Sequence, residues 1–263
     1  MNNPHDESSE RMALEAEGLI QQGIITPLAL EFLKACLLTK INLAISGPPG
    51  SGKTMLLRAL VSLCPADTQI LAIQNPDEPS LEGKGITTLR ANLSPGRGKH
   101  VITRYYLLAL VPKMHPQGLL LDRVQDLEAP PLLRLLFAMD GVMFSIVADS
   151  PKDALSNLER MVLVGEAGLA TNVIRRILSS SLDLIVQLQR SQDDSTRIVN
   201  LTEVADMEGD AIVLRDIFLH QDSEEEKDKS LTLLRPTGIK PHFADRMEML
   251  GIYLPAEMFH PSP

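Results

Sequence analysis

Between residues 46 and 54 the chain reads Ser46-Gly47-Pro48-Pro49-Gly50-Ser51-Gly52-Lys53-Thr54. Gly47, Gly52, Lys53 and Thr54 fall on the spacing G-x-x-x-x-G-K-[ST], which suits one task, the cradling of phosphate. Gly47, Gly50 and Gly52 let successive backbone N–H groups turn inward on an anion, and Pro48, Pro49 and Ser51 complete the bend. Lys53 places an ammonium on the outer phosphates of a nucleotide, and the Thr54 hydroxyl suits Mg²⁺ as a ligand. This chemistry needs a strand to deliver the loop and a helix to leave it. Ile41-Asn42-Leu43-Ala44-Ile45 is short and apolar, as a buried strand should be, and Met55–Val61 reads as a helix whose start attracts anions. A chance glycine-rich turn would not bring all of these features together, so residues 47–54 are expected to bind a nucleotide such as ATP.

The rest of the chain has to hold that strand and helix in place. Its 263 residues suffice for one large α/β domain or two small ones with a substantial core. No apolar run reaches the roughly 18 residues that suggest a membrane span, and the polar, acidic start Met1–Glu10 lacks the plan of a secretory signal. A cytoplasmic protein is expected. Cys36 and Cys64 sit in apolar helical stretches without CxxC spacing, which favours buried thiols over a disulfide or a metal site. The net charge of −9 disfavours broad nucleic-acid binding.

Residues 1 to about 8 read as a disordered tail and residues 9–39 as two helices, the second being Pro27–Leu38 with proline in its first turn. Strand candidates at 69–73, 118–122 and 143–147 then alternate with helical segments at 103–111, 129–139 and 152–163. That rhythm predicts an α/β fold, a mostly parallel sheet with helices on both faces. Asn75 to Lys99, rich in Pro, Gly and Ser, reads as a long loop with at most one short strand. From residue 182 the pattern turns strand-rich, with candidates at 182–188, 197–204, 211–218 and 231–234 and a turn at Met207-Glu208-Gly209-Asp210. The charged run Glu224–Lys229 reads as a solvated hairpin tip.

Several stretches carry a specific resemblance. Ser181–Gln187, Arg197–Val204, Met207–Asp210, Asp216-Ile217-Phe218, Thr237-Gly238-Ile239-Lys240-Pro241 and Leu250-Gly251-Ile252 follow one another as in the tight-adherence (Tad/Flp) pilus ATPases. Those belong to the broader type II/type IV secretion ATPases, and with Phe32–Cys36 and Ser150–Leu155 the resemblance covers about residues 25–255. It implies a RecA-like P-loop NTPase domain over 25–255, preceded by an acidic tail and first helix (1–24) and followed by a Pro-rich tail (256–263). It also implies ATP and Mg²⁺ as cofactors, and as partners other secretion or pilus ATPase subunits, in a homo- or hetero-oligomer, with an inner-membrane platform protein. The N-terminal domain usual in the family is expected to be missing here or supplied by another chain.

The resemblance also exposes departures. The family's acidic box, a strand ending in Glu-Asp, falls on Ile73-Gln74-Asn75, so amides replace both carboxylates. Neither Gln74 nor Asn75 can act as a general base, and each holds Mg²⁺ less strongly than an anion does. Where the family has Gly-Glu after four apolar residues, Leu119-Leu120-Leu121-Asp122-Arg123 places a cation on the glutamate's position. Two family histidines fall on Met139 and Val147, which cannot donate to phosphate. For the family's catalytic arginines the chain offers Arg90, Arg97 and Arg104, and for a substitute base Asp77 or Glu78. Shifted by one residue, Leu119–Asp122 is an ordinary Walker B strand, which leaves Asp122 beside Thr54 as the candidate for metal; Arg123 then either faces phosphate or pairs with Asp122 or Asp126. The sequence therefore predicts ATP binding with weak or lost hydrolysis and an accessory or regulatory role in pilus assembly or secretion. The alternatives are a working motor with relocated catalytic residues and an AAA+ ATPase, which would need a helical lid where this chain turns strand-rich.

Overall fold

The structure is a computed structural model that describes residues 18–78, 81, 83, 85–93, 101–166, 168–190, 195–221 and 234–260. One sheet organises it. Strands β1 (Leu43–Gly47), β2 (Ile70–Gln74), β3 (Ile86–Arg90), β4 (Gly118–Leu121), β5 (Val142–Val147) and β6 (Leu184–Arg190) run parallel in the spatial order β3-β2-β4-β5-β1-β6. Three antiparallel strands extend the same sheet beyond β6: β7 (Thr196–Glu208), β8 (Ala211–His220) and β9 (Leu234–Pro236). The β7–β8 reversal occurs at Gly209, whose φ of 61° lies in the left-handed region that glycine accepts without strain.

The central strands are mostly apolar because both of their faces are covered. Alternate residues go to opposite sides, so Leu43 and Ile45 join one core while Ala44 joins the other. Helices α1 (Pro27–Leu38) and α2 (Lys53–Ser62) cover the first face. Helices α3 (Arg104–Met114), α4 (Ala129–Ala138), α5 (Pro151–Gly165) and α6 (Thr171–Ser181) cover the second. A last short helix, α7 (Ala244–Met249), returns to the first face, where Phe32 of α1 lies 5.4 Å from Phe218 of β8 and 6.2 Å from Phe243 between ring centroids. Such offset aromatic contacts fasten α1 to the antiparallel extension.

The edge of the sheet opposite the phosphate loop is tied together by one side chain. Asn42, buried just ahead of β1, donates Nδ2 to the carbonyls of Ser181 (2.7 Å), Met139 (3.2 Å) and Leu136 (3.3 Å). Its Oδ1 accepts from the Val142 N–H, and its own N–H donates to the Asp183 carboxylate, both at 2.8 Å.

These elements agree closely with the periodicity of the sequence, with two additions. Helix α6 was not anticipated, although Val173, Ile174, Ile177 and Leu178 recur at helical spacing in an otherwise polar segment. The six-residue α7 was not anticipated either. The last expected strand begins at Leu234 among the described residues; residues 231–233, the Glu224–Lys229 run, residues 1–17 and Arg97 lie outside them. Cys36 is buried and Cys64 half-buried; burial raises both thiols, Cys64 to about 11, which removes the thiolate that metal or redox chemistry needs. Among the described residues no helix is long and apolar enough to cross a membrane.

Candidate functional site

The loop Gly47–Thr54 bridges the end of β1 and the start of α2, so its geometry follows from a strand-to-helix reversal. Gly50 and Gly52 take φ of 77° and 82°, positions where a side chain would strain the backbone. Gly47 has no such φ, but a Cβ there would lie 2.8 Å from the Leu188 carbonyl of β6 and would also strike Ser51 Oγ. The loop is thus packed against the β6–β7 hairpin, and a Cβ on Gly52 would likewise sit 3.0 Å from the Thr196 methyl. Pro49 and Gly50 are exposed at its crest, Pro48 is half-exposed, and Ser51 is buried beneath.

Lys53 begins α2 with its side chain folded back under the loop. Its Nζ donates to the carbonyls of Pro48 (2.7 Å) and Gly47 (2.9 Å). Burial lowers its pKa, and the nearby Asp122 carboxylate opposes that shift. Thr54 Oγ1 donates to Asp122 Oδ2 at 2.6 Å, across 68 residues of sequence. Asp122 follows the last residue of β4, and its other oxygen accepts from the Ser145 hydroxyl on the adjacent β5. A hydroxyl and a carboxylate in contact are hard oxygen donors of the kind Mg²⁺ takes, with phosphate and water completing its shell. Thr54 and Asp122 therefore fit the metal that the sequence predicts.

Beside Asp122 the edge is built of ion pairs. Arg104, its side chain only 1% exposed, donates NH1 to Glu78 Oε1 (3.0 Å) and NH2 to Glu128 Oε2 (2.6 Å). The same guanidinium holds the carbonyls of Asp122 (2.8 Å) and Arg123 (3.2 Å). Burial raises the Glu128 carboxyl, with Arg104 opposing the shift. Gln74, at the tip of β2, is buried and accepts from the Leu81 N–H at 3.3 Å, while Asn75 Nδ2 donates to Glu78 Oε1 at 3.1 Å. Arg123 projects over this cluster, 3.7 Å from Glu78 Oε1 and 4.0 Å from Asp122 Oδ2.

Residues 9–249 match the family described as "Type II/IV secretion system protein". The chain belongs to that family. Within it, the chain is 25% identical over 165 residues to the VirB11 protein of Rhizobium radiobacter, covering 62% of this chain and 48% of that one. It is 29% identical over 164 residues to the type IV secretion system protein VirB11 of Bartonella henselae, covering 60% and 45%. The chain thus spans about half the length of the curated relatives it matches. Among solved structures it superposes on the VirB11 ATPase of Brucella suis with a TM-score of 0.59 and 24% identity, over 73% of this chain and 57% of that one. The fold is accordingly the RecA-like P-loop fold of these secretion ATPases.

Several expected positions change meaning in this setting. Gln74, Asn75, Asp122, Arg123 and Val147 lie at the loop's edge of the sheet, Val147 in register with Gly47 and half-exposed. Met139 does not, because it precedes β5 and so lies at the opposite edge, beside Asn42. Its identity says nothing about phosphate. Arg104 is no phosphate contact, since buried carboxylates and carbonyls take up its fork. Glu78 is not a solvated loop carboxylate but a buried partner of that arginine. Arg90 points instead to the Pro76 carbonyl at 3.4 Å, while Asp126 pairs with Arg160 and leaves Arg123 to Asp122 and Glu78. Ser145, which joins Asp122 to the Arg123 backbone, went unnoticed because only strand pairing brings it there.

Proposed function

We propose that this chain binds ATP with Mg²⁺ in a Tad/Flp-type pilus or secretion machine, hydrolyses it weakly or not at all, and serves there as an accessory or regulatory subunit. The observation that carries the reading is the contrast around Asp122. On the β1 side, the loop glycines, Lys53 and the Thr54–Asp122 pair form a complete phosphate and metal cradle. On the β2 side, amides occupy the acidic-box positions, and Glu78 is engaged by Arg104 and Asn75.

In this reading the backbone N–H groups of residues 50–54 hold the phosphates, and Lys53 leaves the Gly47 and Pro48 carbonyls for the outer oxygens. Mg²⁺, when bound by Thr54 and by Asp122 through water, supplies charge neutralisation. Gln74 and Asn75 can orient a water but cannot take its proton. The rival working motor needs a carboxylate at liberty to do so; the Glu78 contacts count against that residue and leave the exposed Asp77 as the rival's candidate. Other secretion ATPase subunits and a membrane platform are the expected partners, in a ring where neighbouring sites do the hydrolysis. Paired ATP-binding and ATP-turnover assays test the reading: binding with background turnover supports it, whereas turnover at about 1 s⁻¹ or faster, abolished by Lys53→Ala, overturns it.

A further inference from the structure

Arg123 has an unusual setting for a surface arginine. It follows Asp122 at the tip of β4 with φ of 51°, in the left-handed region that costs a non-glycine residue. Its backbone is pinned there from two sides. Its N–H donates to Ser145 Oγ at 2.8 Å, and its carbonyl accepts from Arg104 NH2 at 3.2 Å. The buried Arg104 also grips the preceding Asp122 carbonyl, so two of the best-packed polar groups of the site fix this strained peptide.

That peptide aims the guanidinium across the metal position. Arg123 Nε lies 4.0 Å from Asp122 Oδ2, the oxygen that also takes the Thr54 hydroxyl at 2.6 Å. Its NH2 lies 3.7 Å from Glu78 Oε1, which already has closer donors in Arg104 and Asn75. Both Arg123 contacts exceed hydrogen-bond distance, and 53% of its side chain is exposed. An exposed pair at such a distance adds little stability, and therefore does not offset the left-handed backbone. The backbone hydrogen bonds hold the conformation, as Lys40 and His115 hold a similar φ elsewhere, and what calls for a ligand is the guanidinium they leave loosely paired beside Asp122. A guanidinium fork beside a phosphate loop is suited to two oxygens of one phosphoryl group.

We infer that Arg123 is a phosphate-facing cation that does part of the metal's work, so that this chain takes up ATP with or without Mg²⁺. The inference rests on the reading of Gly47–Thr54 as an ATP loop. On arrival of a triphosphate, the guanidinium turns from Glu78 to the outer phosphate, and Asp122 and Thr54 hold the metal only when it is present. An arginine where the family places a glutamate thereby exchanges activation of water for retention of nucleotide.

Calorimetry of the purified chain with ATP, in Mg²⁺ and in excess EDTA, tests this for the wild type, Arg123→Gly, Arg123→Lys and Lys53→Ala. Glycine relieves the φ at this position, so Arg123→Gly removes the guanidinium without endangering the fold. The wild type is expected to lose less than about threefold in affinity on metal removal. Arg123→Gly is expected to lose about tenfold or more in EDTA, the value of one charge-assisted contact, and to recover with Mg²⁺, with Arg123→Lys between the two. Parallel losses in the wild type and Arg123→Gly on metal removal overturn the inference. Binding that depends on Lys53 but not on Arg123 overturns it while leaving the ATP loop standing; no ATP binding by the wild type in either condition overturns both.

Discussion

Two neighbouring stretches of the same sheet edge are built on different principles. The β1–α2 turn is held by backbone conformation: left-handed Gly50 and Gly52, a close approach at Gly47, and a lysine bonded to loop carbonyls. The tips of β2 and β4 are held by side-chain charge, with Arg104 at the centre of Glu78, Glu128 and two carbonyls. The first arrangement can change little without losing its shape. The second holds amides at Gln74 and Asn75 and an arginine at position 123 and still pairs Arg104 with two buried carboxylates. On the proposed function, holding phosphate and activating water would then reside in regions that can diverge separately.

The sharpest way to break the contrast is to remove the charge centre alone. Arg104→Ala leaves Glu78 and Glu128 buried without their partner and should cost about 3–5 kcal/mol of stability, seen as a large fall in the thermal midpoint. Breaking the loop side alone should do the reverse. Lys53→Ala should weaken ATP binding by roughly 1.5–3 kcal/mol in calorimetry while moving the midpoint far less than Arg104→Ala does, because the hydrogen bonds of the lysine all lie within its own loop. The contrast is sharpened by restoring the acidic box: Gln74→Glu with Asn75→Asp should raise ATP turnover above the wild-type background, and an unchanged rate would place the block at Arg123 instead.

The smallest effect concerns pH. Burial raises the carboxyls of Glu128, Asp183 and Glu203 above their ordinary values, so the folded chain binds more protons than the unfolded one across that window. Their contribution is fully present below the ordinary carboxylate range and declines as pH rises through the raised values. The thermal midpoint should thus fall as pH rises from the ordinary carboxylate range through the raised values of these groups. Glu203→Gln should flatten that slope, since Glu203 Oε2 is buried without a hydrogen-bond partner.

What could be read from the sequence was what is encoded locally. The loop was legible because its shape demands glycine at fixed spacing, and the buried strands because both faces force an apolar run. Pro27 in a first turn announced α1, and the structure adds a cap, the Thr26 hydroxyl accepting from the Ala29 N–H at 3.3 Å. The signal for helix α6 was present, an apolar stripe of Val173, Ile174, Ile177 and Leu178, but the polar residues around it make the segment read as a connection rather than as a helix. Arg104 misled because its carboxylate partners are 26 and 24 residues away, so nothing nearby marks it as buried. Met139 misled differently. Family register set it among the phosphate-facing positions, but the direction of β5 places it at the far end of the strands.

That far edge has a mechanical consequence through Asn42. One amide joins the carbonyls that end α4 and α6 to the first residue of β5, and its backbone anchors Asp183 ahead of β6. Four elements hinge on a side chain that is almost wholly buried, so displacement of β1 there requires several hydrogen bonds to open together. Nucleotide-driven motion should therefore pivot about the Asn42 end and grow toward the loop, the sheet acting as a lever with its fulcrum at the floor. Hydrogen exchange would register this as slow, nucleotide-independent amides at Asn42 and Val142, with the response to ATP confined to residues near the crest.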